Sequence, residues 1–105
     1  MINGGRGRLD RMPEVTVADN PERSRYEVTV DGAVAGFAAY VRHPDHLNFT
    51  HTEIGSEYGG QGLGGKLVAG ALADVRGKGG RIVATCPFVR SYLEKHPEHR
   101  DLLKN

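Results

Sequence analysis

Six glycines crowd into eleven residues (Gly55, Gly59, Gly60, Gly62, Gly64 and Gly65), and Lys66 follows them directly. Bare main-chain N–H groups at the start of a helix, unshielded by Cβ atoms, form a ready site for an anion. Three phosphate chemistries compete for the segment Gly59-Gly60-Gln61-Gly62-Leu63-Gly64-Gly65-Lys66. Gly60, Gly62 and Gly65 satisfy GxGxxG, but a dinucleotide site also wants an acidic residue about 20 positions on to hold the ribose. Thr85 and Cys86 occupy that neighbourhood. Gly60 with Gly65-Lys66 satisfies GxxxxGK, yet Leu67 stands where a Ser or Thr must ligate Mg²⁺. The pyrophosphate of coenzyme A asks only for main-chain amides and the helix dipole, and it fits with no part missing. The competing explanation is a turn whose glycines serve only close strand–helix packing.

The elements around the loop are those such a site requires. Val15-Thr16-Val17 alternates and meets a turn at Asp19-Asn20-Pro21. Tyr26-Glu27-Val28-Thr29-Val30 alternates cleanly, Asp31-Gly32 signals a two-residue hairpin, and Val34 to Val41 resumes as a strand. After a turn at His43-Pro44-Asp45-His46, Leu47 to Ile54 predicts a further strand, with Leu47, Phe49 and His51 on one face. The period then becomes helical at Leu63, Leu67, Val68, Ala71, Leu72 and Val75, and Gly77, Gly79 and Gly80 stop the helix. Arg81 to Cys86 reads as a buried strand. Pro87 opens a second helix with a stripe of Phe88, Val89, Tyr92, Leu93 and His96, ending at Pro97. The class is mixed α/β (α+β): an antiparallel meander of about four strands, then helix, parallel strand and helix. The crossover pairs Leu47–Ile54 with Ile82–Cys86 in parallel.

Composition narrows the function classes. Over 105 residues, 14 Lys and Arg oppose 13 Asp and Glu for a net charge of +1, which argues against a coat for nucleic acid. No run approaches the ~18 to 20 apolar residues of a membrane span. The residues Met1 to Arg6 carry no apolar leader segment, and the chain reads as soluble and cytoplasmic. One cysteine, Cys86, excludes an intramolecular disulfide and a multi-cysteine zinc site. The pairs His43/His46 and His96/His99 have i, i+3 spacing but no third convergent ligand, so no metal is expected. Residues 1–12, Arg- and Gly-rich, read as a flexible head, and residues 13–105 as a single domain.

The stretch Glu57-Tyr58-Gly59-Gly60-Gln61-Gly62-Leu63-Gly64 resembles the acetyl-CoA loop of the GNAT superfamily of N-acetyltransferases, Gln/Arg-x-x-Gly-x-Gly/Ala. A fuller likeness runs from Asp19-Asn20-Pro21 through His51-Thr52-Glu53-Ile54-Gly55 to Thr85-Cys86-Pro87-Phe88-Val89 and Tyr92-Leu93-Glu94-Lys95-His96-Pro97. It covers roughly residues 15 to 103 and is similar to the short, single-domain YjdJ-type branch. Two departures stand out: Gly59 replaces the expected Gln or Arg, and the chain begins near the second quarter of a full-length member, without the N-terminal helices. An open, shallow acceptor cleft follows from the second.

The resemblance implies roles residue by residue. Main-chain groups of Glu53, Ile54 and Gly55 pair with pantetheine, and the loop from Gly59 and Gly60 through Gln61, Gly62, Leu63 and Gly64 to Gly65 holds the pyrophosphate with help from Lys66. Tyr92 matches the general-acid tyrosine, against the plain alternative of a core aromatic. Glu53 is the candidate base, with His51 as substitute through its near-neutral titration. Cys86, ahead of Pro87 at a helix N-terminus, offers a second route through an acetyl-cysteine; its alternative is a small buried hydrophobe. The implied activity is acetyl transfer from acetyl-CoA to a primary amine, on a small molecule or a protein lysine. The rivals are an acyl-CoA-binding module with idle catalytic residues and an adaptor using the Arg-rich head. Monomer and homodimer both remain open.

Overall fold

The computed structural model describes residues 13–104, so the Arg-rich head lies outside the described residues. Among these, one sheet of five strands runs in sequence order: β1 (Val15–Asn20), β2 (Arg25–Val30), β3 (Ala33–His43), β4 (His46–Ile54) and β5 (Ile82–Ala84). The first four are antiparallel neighbours, and β5 joins β4 in parallel. Helix α1 (Leu63–Gly77) makes the crossover, and α2 (Pro87–Lys95) follows β5. No helix among the described residues is long and apolar enough to cross a membrane.

Local chemistry accounts for these boundaries. Asp31 and Gly32 both have positive φ, 50° and 87°, as the two-residue hairpin joining β2 to β3 requires. β1 runs past Val17 to Asn20 because Asn20 pairs with Arg25, and a short 3-10 turn at Pro21–Arg23 absorbs the reversal. The buried residues of α1 are Leu63, Leu67, Val68, Ala71, Leu72 and Val75, the stripe expected from spacing alone. They cover Tyr26, Val28, Ala38, Tyr40 and Phe49, and the rings of Tyr26, Tyr40 and Phe49 lie 5.7 to 6.1 Å apart. Past Pro97 a 3-10 segment buries Leu102, and Leu103 bridges Ile82, which closes the outer edge of β5.

One irregularity changes the face assignment of β4. The register with β3 shifts between Ala39 and Tyr40, which oppose His51 and Phe49, so Thr50 is an extra residue. A bulge of this kind reverses the alternation beyond it. Leu47 and Phe49 point into the core, whereas His51 and Glu53 stand exposed on the opposite face and Thr52 and Ile54 turn inward. His51 is therefore not on the apolar face with Leu47 and Phe49. Phe88 also departs from its expected stripe: it is 44% exposed, while Val89 and Leu93 make the buried contacts of α2.

Helix α1 crosses β1 at a glycine. A Cβ on Gly70 would lie 2.7 Å from Val17 Cβ, closer than van der Waals contact allows. Gly70→Ala is expected to lower the melting temperature even though alanine gains about 1 kcal/mol of helix propensity. In the double variant with Val17→Ala the losses should fall short of their sum, measured by chemical denaturation. Strict additivity would show the contact is not tight.

Candidate functional site

β4 outlasts β5. The parallel pairing covers Leu47–Ile82, Asn48–Val83 and Phe49–Ala84, after which the N–H groups of Thr85 and Cys86 both donate to the Phe49 carbonyl, at 3.0 and 2.9 Å. From Thr50 to Ile54 the strand keeps β3 on one side and loses β5 on the other. Gly55 N–H donates to Ala35 O at 2.8 Å, which sets the phase of the antiparallel ladder. By alternation, the main-chain groups of Glu53 and His51 point to β3 and those of Thr52 and Ile54 point into the gap. Thr52, not singled out by sequence, thus joins Ile54 at the free edge.

The glycine loop follows directly. Ser56–Tyr58 forms a 3-10 turn, and then Gly60 and Gly62 take φ of 79° and 72°, a backbone region other residues enter only with strain. An added Cβ at either would meet nothing within 4 Å, so their glycines answer to backbone shape and not to packing. Gly62 is the N-cap of α1 and offers no side chain to its first turn. The first intrahelical bond runs from Lys66 N–H to Gly62 O at 3.3 Å, which leaves the amides of Leu63, Gly64 and Gly65 uncapped among the described residues. Lys66 is exposed on that turn. Gly64 answers to packing, since a Cβ on it would lie 2.7 Å from the Phe88 ring, whereas one on Gly65 would make only an ordinary 4.0 Å contact with Tyr92.

Helix α2 closes the site from the other side. Cys86, its N-cap, is 2% exposed, and its Sγ lies 3.3 Å from Thr52 Oγ1 across the mouth of the gap. Tyr92 is half-buried; its ring stacks on His96 at 4.0 Å, and the His96 Nδ1–H donates to Tyr92 O at 2.9 Å. The free edge of β4, the N-terminus of α1, Cys86 and Tyr92 therefore converge. Glu53 and His51 sit beside the gap on the helix-free face, 3.8 Å apart and both 62% exposed. Among the described residues no three His, Cys, Asp or Glu side chains gather as a metal would require. His43 stacks on His46 at the other end of β4, and His96 lies under Tyr92.

Residues 25–102 match the family model of the GCN5-related N-acetyl-transferases. The chain belongs to this family. It is accordingly an N-acetyltransferase, of a class that uses acetyl-CoA. A comparison with curated proteins finds no match. Among solved structures, the NMR structure of a Staphylococcus aureus protein assigned as a GCN5-like N-acetyltransferase matches with a TM-score of 0.63. The two are 24% identical over 88% of each chain, a likeness that shows the mixed α/β fold with its meander and parallel end.

In this N-acetyltransferase the environment of Tyr92 favours the protonated phenol. Burial pushes its pKa up, and the negative charge of Glu98 adds to the effect. Tyr92 therefore remains a proton donor where a free tyrosine, with an ordinary value of 10.0, is half ionised. The tyrosinate absorbance difference between the wild type and Tyr92→Phe is expected to rise with a midpoint above pH 10. A midpoint at or below that value would contradict the assignment.

Proposed function

We propose that this chain moves an acetyl group from acetyl-CoA to a primary amine by direct attack, with residues 13–105 acting as one acetyl-CoA-binding domain. The main support is a coincidence in space: β4 loses its parallel partner beside the uncapped, open-glycine N-terminus of α1. Main-chain groups of Thr52 and Ile54 would pair with the pantetheine arm. The amides from Gly60 to Gly65 would face the pyrophosphate, where the helix dipole and Lys66 favour negative charge. The loop needs no side chain at Gly59 for this, since the donors are backbone groups.

Bound acetyl-CoA supplies a thioester whose acyl carbon accepts the amine as its C–S bond breaks. Glu53, with His51 3.8 Å away, takes the proton the amine loses. Tyr92 gives its phenolic proton to the departing sulfur. The acceptor reaches Glu53 from the helix-free face, where Phe37 lies 6.0 Å from His51 by ring centres. That open face suits a small amine or an exposed lysine. Direct attack is better supported than relay through Cys86, whose thiol is buried and engaged by Thr52.

With an amine panel and acetyl-CoA, Tyr92→Phe and Glu53→Gln are each expected to lower turnover by about 10²- to 10⁴-fold while acetyl-CoA affinity holds. Cys86→Ala should leave turnover nearly unchanged. Acetyl-CoA binding without turnover in the wild type would instead make this an acyl-CoA-binding module. An acetyl adduct on Cys86, seen by intact mass after rapid quench, would replace direct attack with double displacement.

A further inference from the structure

A cleft lies at the far end of the sheet from the glycine loop. The β3–β4 turn and the segment joining α1 to β5 enclose about 380 Å³ there, a volume within the range of small-molecule sites. Its floor is apolar, built from the buried Tyr26, Leu47 and Val75. Its rim is charged, and the acids on it are already engaged. Asp19 accepts from Tyr40 OH at 2.7 Å and lies 3.8 Å from Lys78, which also pairs with Asp74 at 2.9 Å. Asp45 pairs with His46 at 2.7 Å and Lys104 at 3.5 Å.

Two cations on the same rim are not engaged in this way. Neither Arg42 nor Arg81 makes an ion pair with a carboxylate within 4 Å among the described residues, although the charge of Arg81 helps hold down the carboxyl of Asp101, which Arg76 already grips. Arg42 lies over the Tyr40 ring at 5.6 Å, with a long 3.5 Å contact to its hydroxyl, and both arginines are exposed. A guanidinium presents a planar fork of donors that matches carboxylate and phosphate oxygens. Both arginines line the cleft, and its volume has room for a short carbon skeleton over the apolar floor.

We propose that this cleft binds a small organic anion, carboxylate or phosphate, through Arg42 and Arg81. It is a second site, separate from acetyl transfer: His46 lines the cleft, Ile54 borders the gap, and the strand between them spans roughly 25 Å at about 3.4 Å per residue. A ligand of this size in the cleft does not reach the glycine loop.

Amide chemical shifts of the full chain at pH 7 and low salt provide the test, with succinate and inorganic phosphate titrated in separate arms. Saturable shifts are expected at residues 42–47 and 78–81 in at least one arm, and the stronger arm identifies the anion class. Arg42→Gln and Arg81→Gln should each weaken that binding about tenfold or more, and their exposed positions leave the fold intact. Absence of saturable shifts at the cleft in both arms would overturn the proposal. So would cleft shifts insensitive to both variants. Shifts confined to Gly60–Gly65 would likewise overturn it, since they would locate the anion at α1 alone.

Discussion

The arrangement depends on how one strand pair ends. The Phe49 carbonyl accepts both Thr85 and Cys86 N–H, so the acceptor that would continue the parallel ladder is used up at the point where the chain must turn. Pro87 comes next and has no N–H to offer. The chain has nowhere to go but into α2, and β4 runs on with one row of main-chain groups facing a gap. Main-chain donors and acceptors left without a partner are costly when dry, so this edge stays wet or takes an extended ligand. The geometry of the candidate site follows from that one termination.

The N-terminus of α1 is free to serve the gap because the rest of the helix is tied down elsewhere. Tyr26 donates to Asp74 at 2.6 Å, and burial together with that carboxylate pushes the Tyr26 pKa far up, so the bond persists across the working pH range. Lys78 links Asp74 to Asp19, and Tyr40 holds Asp19 from β3. Arg76 grips Asp101 with two bonds of 2.7 and 2.8 Å, which holds the Asp101 carboxyl down at about 2. That last pair is solvent-exposed and contributes little stability, but it fastens the C-terminal segment to the helix. Anchors at the far end, and Val17 against Gly70 midway, leave the first turn of α1 uncommitted.

Much of this was legible in the residues. Helical spacing located the apolar stripe of α1, Asp31-Gly32 gave the hairpin, and the break in period at the glycines gave the crossover with its parallel strand. Pattern alone does not separate the glycines by task, because Gly64 meets Phe88, which arrives from more than twenty positions away. Phe88 was misassigned for the same reason: its partner is a helix terminus and not the sheet. No sequence pattern marks Thr52, because what places it at the free edge is the direction of its backbone groups. His51 was assigned to the wrong face because the bulge at Thr50 has no local signature, and every side chain after it follows an alternation that only the β3 register reveals.

The bulge also constrains how this strand can change over evolutionary time. Substitutions along β4 alter one contact each, but removing a single residue near Thr50 would restore the uninterrupted alternation. His51 and Glu53 would keep the exposed face, and Thr52 and Ile54 would stay turned inward, because only the unpaired residue is lost. A one-residue change in the length of β4 is therefore neutral for the faces at Thr50, whereas one at a paired position elsewhere in the strand would exchange them.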